Sequence, residues 1–197
     1  MVSELLAEGL QRRRQRRRRA VTLPSYRMAG TRQSRRPQRG RGVDGFYGGE
    51  GVIDTNLLYG ANADAPEHGA ARAFLEAVGR TADPWYLTDG IVYEFLRVAT
   101  HPKVFPQALT WREALAFVAP LLAADHVHVL RAGDGHWALL DEVLADLVHP
   151  SGNLFFDVRT VVLMREHGIR RLYTADADFL QFAGIEAINP LRPTPGR

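Results

Sequence analysis

Residues 51–58, Gly51-Val52-Ile53-Asp54-Thr55-Asn56-Leu57-Leu58, decide the fold of this chain. Val52 and Ile53 form a short apolar run, and Asp54 follows it directly without an obvious local partner. The run predicts a buried strand, and open α/β sheets place their chemistry at the carboxyl ends of such strands. We therefore interpret Asp54 as the first ligand of an acidic metal site, whose other ligands should lie further along the chain.

The chain beyond residue 51 alternates short apolar runs with amphipathic segments, which predicts a parallel sheet and the α/β class. The predicted strands are residues 52–53, 85–88, 127–130, 172–174 and 186–188. Helical patterns separate them, and we expect the first long helix to begin at Asp64, with that aspartate as its N-cap. A second helix should follow Thr88 or Asp89, and a third should have Thr110 as its N-cap, in a capping box with Glu113.

The composition limits the class of protein. A chain of 197 residues is long enough for one domain of ordinary size plus an appendage. It contains no cysteine, which excludes disulfides and thiolate metal sites and agrees with a cytoplasmic location. Its apolar runs are shorter than the roughly 18 residues that a membrane-spanning helix needs, so we expect no membrane association.

The charge divides the chain into two unlike parts. Residues 1–50 contain 13 arginines against four acidic residues, whereas residues 51–197 contain 12 basic and 18 acidic residues. We expect residues 1–50 to be a basic, disordered extension, residues 51–191 to be the folded domain, and residues 192–197 to be a frayed tail. The extension is open to three interpretations: an RNA-binding arm, an inert tail, or a start codon assigned too far upstream, which the sequence favours.

Carboxylates recur where an ordinary surface would not require them. Asp54 ends the first strand, Glu94 lies inside an otherwise apolar helix, and Asp157 lies near the start of another helix. Asp176 and Asp178 follow the strand at residues 172–174. Because the carboxyl ends of parallel strands lie along one edge of the sheet, we expect these acids to converge there.

Clustered carboxylates repel one another, so a cation should neutralise them. Oxygen ligands without cysteine favour Mg²⁺ or Mn²⁺. Divalent ions held in this way catalyse in-line displacement at a phosphodiester and need no covalent nucleophile. The acids therefore indicate metal-dependent hydrolysis of a phosphodiester.

Each acid also has a structural interpretation that the sequence leaves open. Asp54 could cap a turn, and Glu94 could pair with Arg97 on an exposed helix face. Asp157 could be a helix N-terminal charge. One of Asp176 and Asp178 could be a cap rather than a ligand.

These motifs together resemble the PIN domain. The matching segments are Val52-Ile53-Asp54-Thr55-Asn56, the single Glu94, residues 152–157, and Thr174-Ala175-Asp176-Ala177-Asp178-Phe179. Within that family, the chain is similar to the VapC-type ribonuclease toxins of toxin–antitoxin pairs. The resemblance implies a three-layer α/β/α sandwich with a central, mainly parallel sheet. It also implies a Mg²⁺- or Mn²⁺-dependent endoribonuclease that forms a homodimer and is inhibited by a small cognate antitoxin.

The resemblance also assigns residues to roles. The implied catalytic and metal-binding acids are Asp54, Glu94, Asp157 and Asp176, with Asp178 as a further metal ligand. Asn56 would be a polar neighbour of the metal-bound water, and Thr55 an accessory polar residue. Because an acidic site does not attract RNA by itself, nearby cations should guide the backbone; the candidates are Arg97, Arg112 and Arg159.

Two rival functions stay open on the residues alone. One is a phosphohydrolase that uses Asp54 as an aspartyl nucleophile, although that chemistry usually requires a second acid two residues later, where Asn56 stands. The other is a non-catalytic PIN-like binding module in which the acids are residual. Detection of a phosphoenzyme would identify the first, and partner binding without cleavage would identify the second.

Overall fold

A computed structural model describes residues 50–192 of the chain. Its strands form one sheet of five parallel strands, in agreement with the predicted α/β class. The strands are β1 (Gly51–Ile53), β2 (Trp85–Thr88), β3 (Val127–Leu130), β4 (Arg171–Tyr173) and β5 (Glu186–Ile188). Each predicted strand is thus present, with bounds that differ from the prediction by at most one residue.

The strand order places β1 in the middle of the sheet. The order is β3-β2-β1-β4-β5, so the chain moves outward from β1 to one edge and then returns to the other side of β1. The gap between the carboxyl ends of β1 and β4 is therefore the topological switch point, where open α/β sheets bind ligands. Asp54, the residue directly after β1, lies at this point.

Helices connect the strands. They are α1 (Thr55–Leu58), α2 (His68–Val78), α3 (Asp89–Ala99), α4 (Trp111–Ala123), α5 (His136–Ala145) and α6 (Leu154–Glu166). Single 3₁₀ turns cover Tyr59–Ala61 and Ala177–Gln181. Because parallel crossovers are right-handed, the return of the chain across β1 places α5 and α6 on the opposite face of the sheet from α1–α4.

Apolar side chains of β1, β2 and β4 form the centre of the core. The rings of Trp85 and Tyr173 have centroids 4.9 Å apart, and Phe74 of α2 lies 5.3 Å from Tyr173. A Cβ atom at Gly51 would lie 2.7 Å from the Tyr173 ring, so β1 begins on the residue that allows this close approach. This packing fixes β1 against β4 and thereby positions the residues that follow each strand.

The prediction of a helix start at Asp64 is wrong, because α2 begins four residues later, at His68. The Asp64 N–H donates to Asn62 Oδ1 at 2.8 Å, which makes a turn that uses the aspartate outside any helix. Its carboxylate accepts from the Gln107 N–H at 3.0 Å, a contact across 43 residues of sequence. The carboxylate therefore orders a distant loop and does not cap α2.

Thr88 caps α3, and this cap provides a test of the fold. The Thr88 side chain is buried, and its hydroxyl accepts from the Ile91 N–H at 3.0 Å. We expect Thr88→Ala to lower the free energy of unfolding by about 1–2 kcal/mol, because the amide loses its partner in a buried place. Urea denaturation measures this value. Thr88→Ser, which keeps the hydroxyl, is the control, and equal loss in both variants would contradict the cap argument.

Further predictions concern membrane-spanning helices, the two ends of the chain and the capping box of α4. Within residues 50–192, no helix is long and apolar enough to cross a membrane. The basic extension predicted for residues 1–50 and the tail predicted for residues 192–197 fall almost wholly outside the described residues, so they stay predictions. The capping box of α4 is confirmed, with Thr110 and Glu113 bonded in both directions.

Candidate active site

Four separate elements bring the predicted acids to the switch point. Asp54 follows β1, Glu94 lies in α3, Asp157 lies in the first turn of α6, and Asp176 follows β4. They converge there: burial raises the pKa of Asp157 most, and the charges of Asp54, Asp176, Glu94 and Asp178 raise it further. The structure therefore brings together the acids that the sequence singled out.

Asp54 is the most deeply buried member of the group, with 6% of its surface exposed. Its Oδ1 accepts from the Thr55 N–H at 2.7 Å, which makes it the N-cap of α1. Its Oδ2 accepts from Asn56 Nδ2 at 2.6 Å and from the Thr174 hydroxyl at 2.7 Å. These bonds hold the carboxylate in one orientation, so capping a turn and presenting a charge at the switch point are compatible roles.

Thr174 connects the acids that follow the two central strands, and sequence reasoning missed it. Its hydroxyl donates to Asp54 and accepts from Asn56 Nδ2 at 2.8 Å and from the Asp176 N–H at 2.9 Å. The pairing of Ile53 with Tyr173 places Asp54 and Thr174 side by side. A polar residue directly after a buried strand was the available signal, but its meaning depends on knowing that β4 neighbours β1.

Glu94 is shared between the acidic site and the helix surface. Its Oε2 accepts from the Thr55 hydroxyl at 3.0 Å, and its Oε1 lies 3.3 Å from Arg97 Nη2. The exposed pairing considered for the sequence is thus present, and the same carboxylate also reaches the residue next to Asp54. Thr55 and Arg97 therefore fix Glu94 at the edge of the site.

Asp176 and Asp178 have different positions although both are exposed. Asp176 is the N-cap of the second 3₁₀ turn, since its Oδ1 accepts from the Asp178 N–H at 2.8 Å. Its own N–H is bound to Thr174, so it is the one tied to the network around Asp54. Asp178 contributes through its charge, which is among those that raise the pKa of Asp157.

Burial and mutual repulsion raise the pKa of both inner acids. Loss of solvent raises the pKa of Asp54 to about 6, even though the bonds from Thr174 and Thr55 lower it. Burial and the surrounding carboxylates raise the pKa of Asp157 to about 7. Among the described residues, the Asp157 side chain has no hydrogen-bond partner that would offset these effects. Such a group favours either a proton or a cation.

Tyr59 faces the same carboxylates and was also missed. Burial raises its pKa, and the charges of Glu94, Asp54 and Asp176 raise it further, so the phenol stays neutral. No sequence signal distinguished it from a core tyrosine, because it lies in the 3₁₀ turn after α1 rather than at a strand end. Tyr59 lies near the acids because that turn folds back beside the switch point.

The predicted RNA-guiding arginines have three different surroundings. Arg97 is bound to Glu94 and is therefore part of the site. Arg159 forms an ion pair with Asp89 at the start of α3, where it also packs over Gly90. The Arg112 guanidinium stacks on Trp111, 4.2 Å from the centroid of the ring. The structure joins only Arg97 directly to one of the four acids.

The donor set fits a hard divalent cation in its chemistry. All candidate ligands are carboxylate oxygens, and their repulsion is what a cation relieves. Within residues 50–192, however, no three histidine, aspartate or glutamate side chains are grouped closely enough to hold an ion as they stand. Asp54, Glu94 and Asp176 instead direct oxygens to hydroxyl, amide or guanidinium groups. A bound ion would therefore take the place of some of these hydroxyl, amide and guanidinium partners.

Comparison with known proteins gives the family. The family model described as the PIN domain matches residues 51–185, which include every acid of the site. The chain belongs to the PIN-domain family. This agrees with the resemblance seen in the sequence and with the parallel sheet and switch-point acids of the structure.

Curated relatives place this PIN-domain chain among the VapC ribonucleases. Ribonuclease VapC48 of Mycobacterium tuberculosis H37Rv is 31% identical over 134 residues, which cover 68% of this chain and 92% of the relative. Ribonuclease VapC43 of the same strain is 31% identical over 140 residues, which cover 71% of this chain and 94% of the relative. The alignments thus span nearly the whole of these relatives.

Solved structures support the PIN-domain fold. VapC20 of Mycobacterium tuberculosis, described as a sarcin-ricin loop cleaving toxin, aligns with a TM-score of 0.51 at 20% identity, covering 68% of this chain and 97% of its own. VapBC2 of Rickettsia felis, solved with a DNA fragment from its promoter, aligns with a TM-score of 0.50 at 13% identity, covering 70% and 96%. At these identities the likeness supports the fold alone.

Proposed function

We propose that this protein is a divalent-metal-dependent endoribonuclease that acts as the toxin of a toxin–antitoxin pair. The observation that carries the proposal is the group of carboxylates at the switch point, two of which have a strongly raised pKa. The PIN-domain family and the ribonuclease relatives give the reaction class. The nuclease domain would comprise residues 51–191, act in the cytoplasm and assemble as a homodimer.

Asp54, Glu94, Asp157 and Asp176 are the proposed catalytic acids and would hold Mg²⁺ or Mn²⁺, with Asp178 as a further ligand. A bound divalent ion supplies a nucleophile from water at neutral pH and neutralises charge on the phosphodiester. Thr174 and Asn56 fix the orientation of Asp54, and Thr55 fixes Glu94. Asp54 would thus be the fixed ligand, because it is buried and bonded through both oxygens, and the exposed Asp176 and Asp178 would complete the site from its edge.

The charges of the site also indicate how RNA would approach it. RNA phosphates are repelled by the acids, so cations at the edge must guide the strand, and Arg97 is best placed because it lies against Glu94. Arg112 and Arg159 are proposed as outer guides, since Arg112 is exposed and the Arg159 side chain stays partly exposed beside Asp89. We further propose inhibition by a small cognate antitoxin, the partner that the similarity to VapC-type ribonuclease toxins implies.

Removal of divalent cations tests this function directly. We expect RNA cleavage by the purified protein to stop in excess EDTA and to return when Mg²⁺ or Mn²⁺ exceeds the chelator, because the carboxylates alone cannot activate water. The same ions should raise the unfolding temperature at pH 7.5, since ligands that bind only the folded state stabilise it; at 100 times Kd the gain is about 2.7 kcal/mol.

The matched variants for this experiment are Asp54→Asn and Asp141→Asn. Asp141 is an exposed acid of α5 without a described partner, so its loss should leave cleavage and the metal-induced stabilisation unchanged. Asp54→Asn should lose both. Cleavage that persists in EDTA, or an Asp54→Asn protein that cleaves at the wild-type rate, would refute the proposal.

A further inference from the structure

A pocket lies beside the acidic site on the α2 side. Its volume is about 140 Å³, and its walls come mostly from apolar and aromatic residues. The walls include Asn56, Tyr59, Ala65, Glu67, Phe105 and Ala175. These residues belong to three separate stretches of the chain, so the pocket is a product of the tertiary fold.

The pocket is connected to the acids by direct hydrogen bonds. Asn56, which lines it, donates to Asp54 Oδ2 at 2.6 Å, and the Ala175 N–H donates to Asn56 Oδ1 at 3.0 Å. Tyr59, a second wall residue, lies within the electrostatic influence of Asp54 and Glu94. A molecule bound in the pocket would therefore be separated from a group bound at Asp54 only by Asn56.

Aromatic rings form one wall. Tyr59 and Phe105 meet edge to face, with centroids 6.3 Å apart and an interplanar angle of 68°. Phe105 is 7% exposed, so little of its surface outside the pocket faces solvent. Rigid aromatic faces next to a phosphodiester site are the usual receptors for unstacked bases of single-stranded RNA.

Glu67, an exposed residue, supplies the charged group among the residues that line the pocket. It occupies the position before α2, but its side chain makes no cap bond there. Among the described residues, its carboxylate also has no ion-pair or hydrogen-bond partner. A carboxylate only accepts hydrogen bonds, so it pairs with amino groups and is repelled by carbonyl oxygens.

We propose that this pocket binds the base adjacent to the cleaved phosphodiester and selects bases that carry an exocyclic amino group over uracil. The inference rests on the proposed ribonuclease function and adds substrate preference to it. Adenine, cytosine and guanine each present an NH₂ group that Glu67 accepts. Uracil presents two carbonyl oxygens and a single N–H between them, which leaves at least one oxygen facing the carboxylate.

The test is the base preference of Glu67→Gln. The wild-type protein, supplied with Mg²⁺ or Mn²⁺ and a randomised single-stranded RNA pool, should disfavour uracil at one position beside the cleaved bond by about tenfold, the usual effect of one hydrogen bond to a charged group. Glutamine offers both an acceptor and a donor, so the variant should lower this discrimination to about twofold. Sequencing of the cleavage ends gives the preference.

Two further variants complete the design. Glu76→Gln makes the same charge change on the exposed face of α2, away from the pocket, and should keep the wild-type preference. Ala65→Leu places three extra carbons in the pocket and should reduce cleavage about tenfold and remove the preference at that position. Thermal unfolding of each variant confirms that the fold is retained.

A second measurement does not depend on catalysis. Cytidine or uridine is titrated into the metal-free protein in EDTA, and the amide NMR signals of Gly60, Glu67 and Ala71 are followed. Cytidine should shift these signals at a concentration about tenfold lower than uridine does, and Glu67→Gln should bring the two nucleosides to nearly equal affinity.

The outcomes separate the two proposals. Cleavage with the same base preference in Glu67→Gln and wild type overturns the pocket assignment and leaves the ribonuclease intact. No cleavage by metal-loaded wild type overturns the ribonuclease, and the nucleoside titration then decides the pocket alone. An Ala65→Leu protein that keeps its base preference but escapes its antitoxin shows that the pocket holds a protein partner, which also overturns the assignment.

Discussion

Asp157→Asn is expected to reduce RNA cleavage by about a hundred- to a thousandfold and, at the same time, to stabilise the metal-free protein at neutral pH. The loss of cleavage follows from its position in the first turn of α6, facing the other acids of the switch point. The gain in stability follows because asparagine has nearly the same shape but carries no charge for its neighbours to repel. Asp157→Asn should therefore lower activity while it raises the stability of the metal-free protein.

The pH dependence of this gain has a definite sign. The folded-state pKa of Asp157 is about 7, above its ordinary value of 3.8. The folded protein therefore holds a proton more tightly than the unfolded chain, and its stability falls as pH rises between these values. The half-buried position leaves solvent screening, so we expect only about 1–2 kcal/mol of gain for Asp157→Asn at pH 8. At pH 4 the folded carboxyl is protonated and the unfolded one partly so, and most of the gain should therefore be lost.

Urea unfolding at pH 8 and pH 4, together with RNA cleavage in Mg²⁺, measures both effects. Asp141→Asn is again the control, because the removed charge is exposed and is not among those that raise the pKa of Asp157. Addition of Mg²⁺ should reverse the order of stability, since the ion stabilises the wild type and not the variant. Undiminished cleavage by Asp157→Asn would remove Asp157 from the catalytic group, and a loss of stability at pH 8 would contradict the repulsion argument.

The sheet could be predicted from the sequence because each strand is a short apolar run bounded by turn residues. The pattern at Trp85–Thr88 and at Val127–Leu130 is set by local alternation, and the structure retains both strands. The capping box at Thr110 could be predicted for the same reason, because its signature lies within four consecutive residues. Features determined by neighbours in sequence were therefore predicted well.

Features determined by contacts between residues far apart in sequence were not predicted. Aspartate is a favoured N-cap residue, but the Asp64 carboxylate instead accepts a hydrogen bond from the backbone N–H of Gln107, 43 residues away. Thr174 became visible as a partner of Asp54 only once β4 was known to lie beside β1. The pocket near Glu67 had no signature at all, because its wall comes from residues as distant as Tyr59 and Phe105.

The second large effect concerns Thr174, which touches no substrate in the proposed mechanism but fixes the acids that do. We expect Thr174→Val to lower cleavage by about 10- to 100-fold, the usual cost of removing a group that orients a metal ligand. Valine keeps the shape of this buried side chain but removes the donor to Asp54 Oδ2 and the acceptor for the Asp176 N–H. Loss of the buried hydrogen bond to Asp54 should also cost about 1–3 kcal/mol of unfolding free energy.

The pH dependence separates positioning from plain destabilisation. The Thr174 hydrogen bond lowers the pKa of Asp54, so its loss should raise that pKa above the wild-type value of about 6. Because metal binding requires the ionised carboxylate, the metal affinity of Thr174→Val should fall further below wild type at pH 6 than at pH 8. Thr174→Ser restores the hydroxyl and should recover most of the activity and the wild-type pH profile. If serine fails as badly as valine, the methyl group and its packing matter more than the hydrogen bond, and Thr174 is then a core residue rather than a positioning residue.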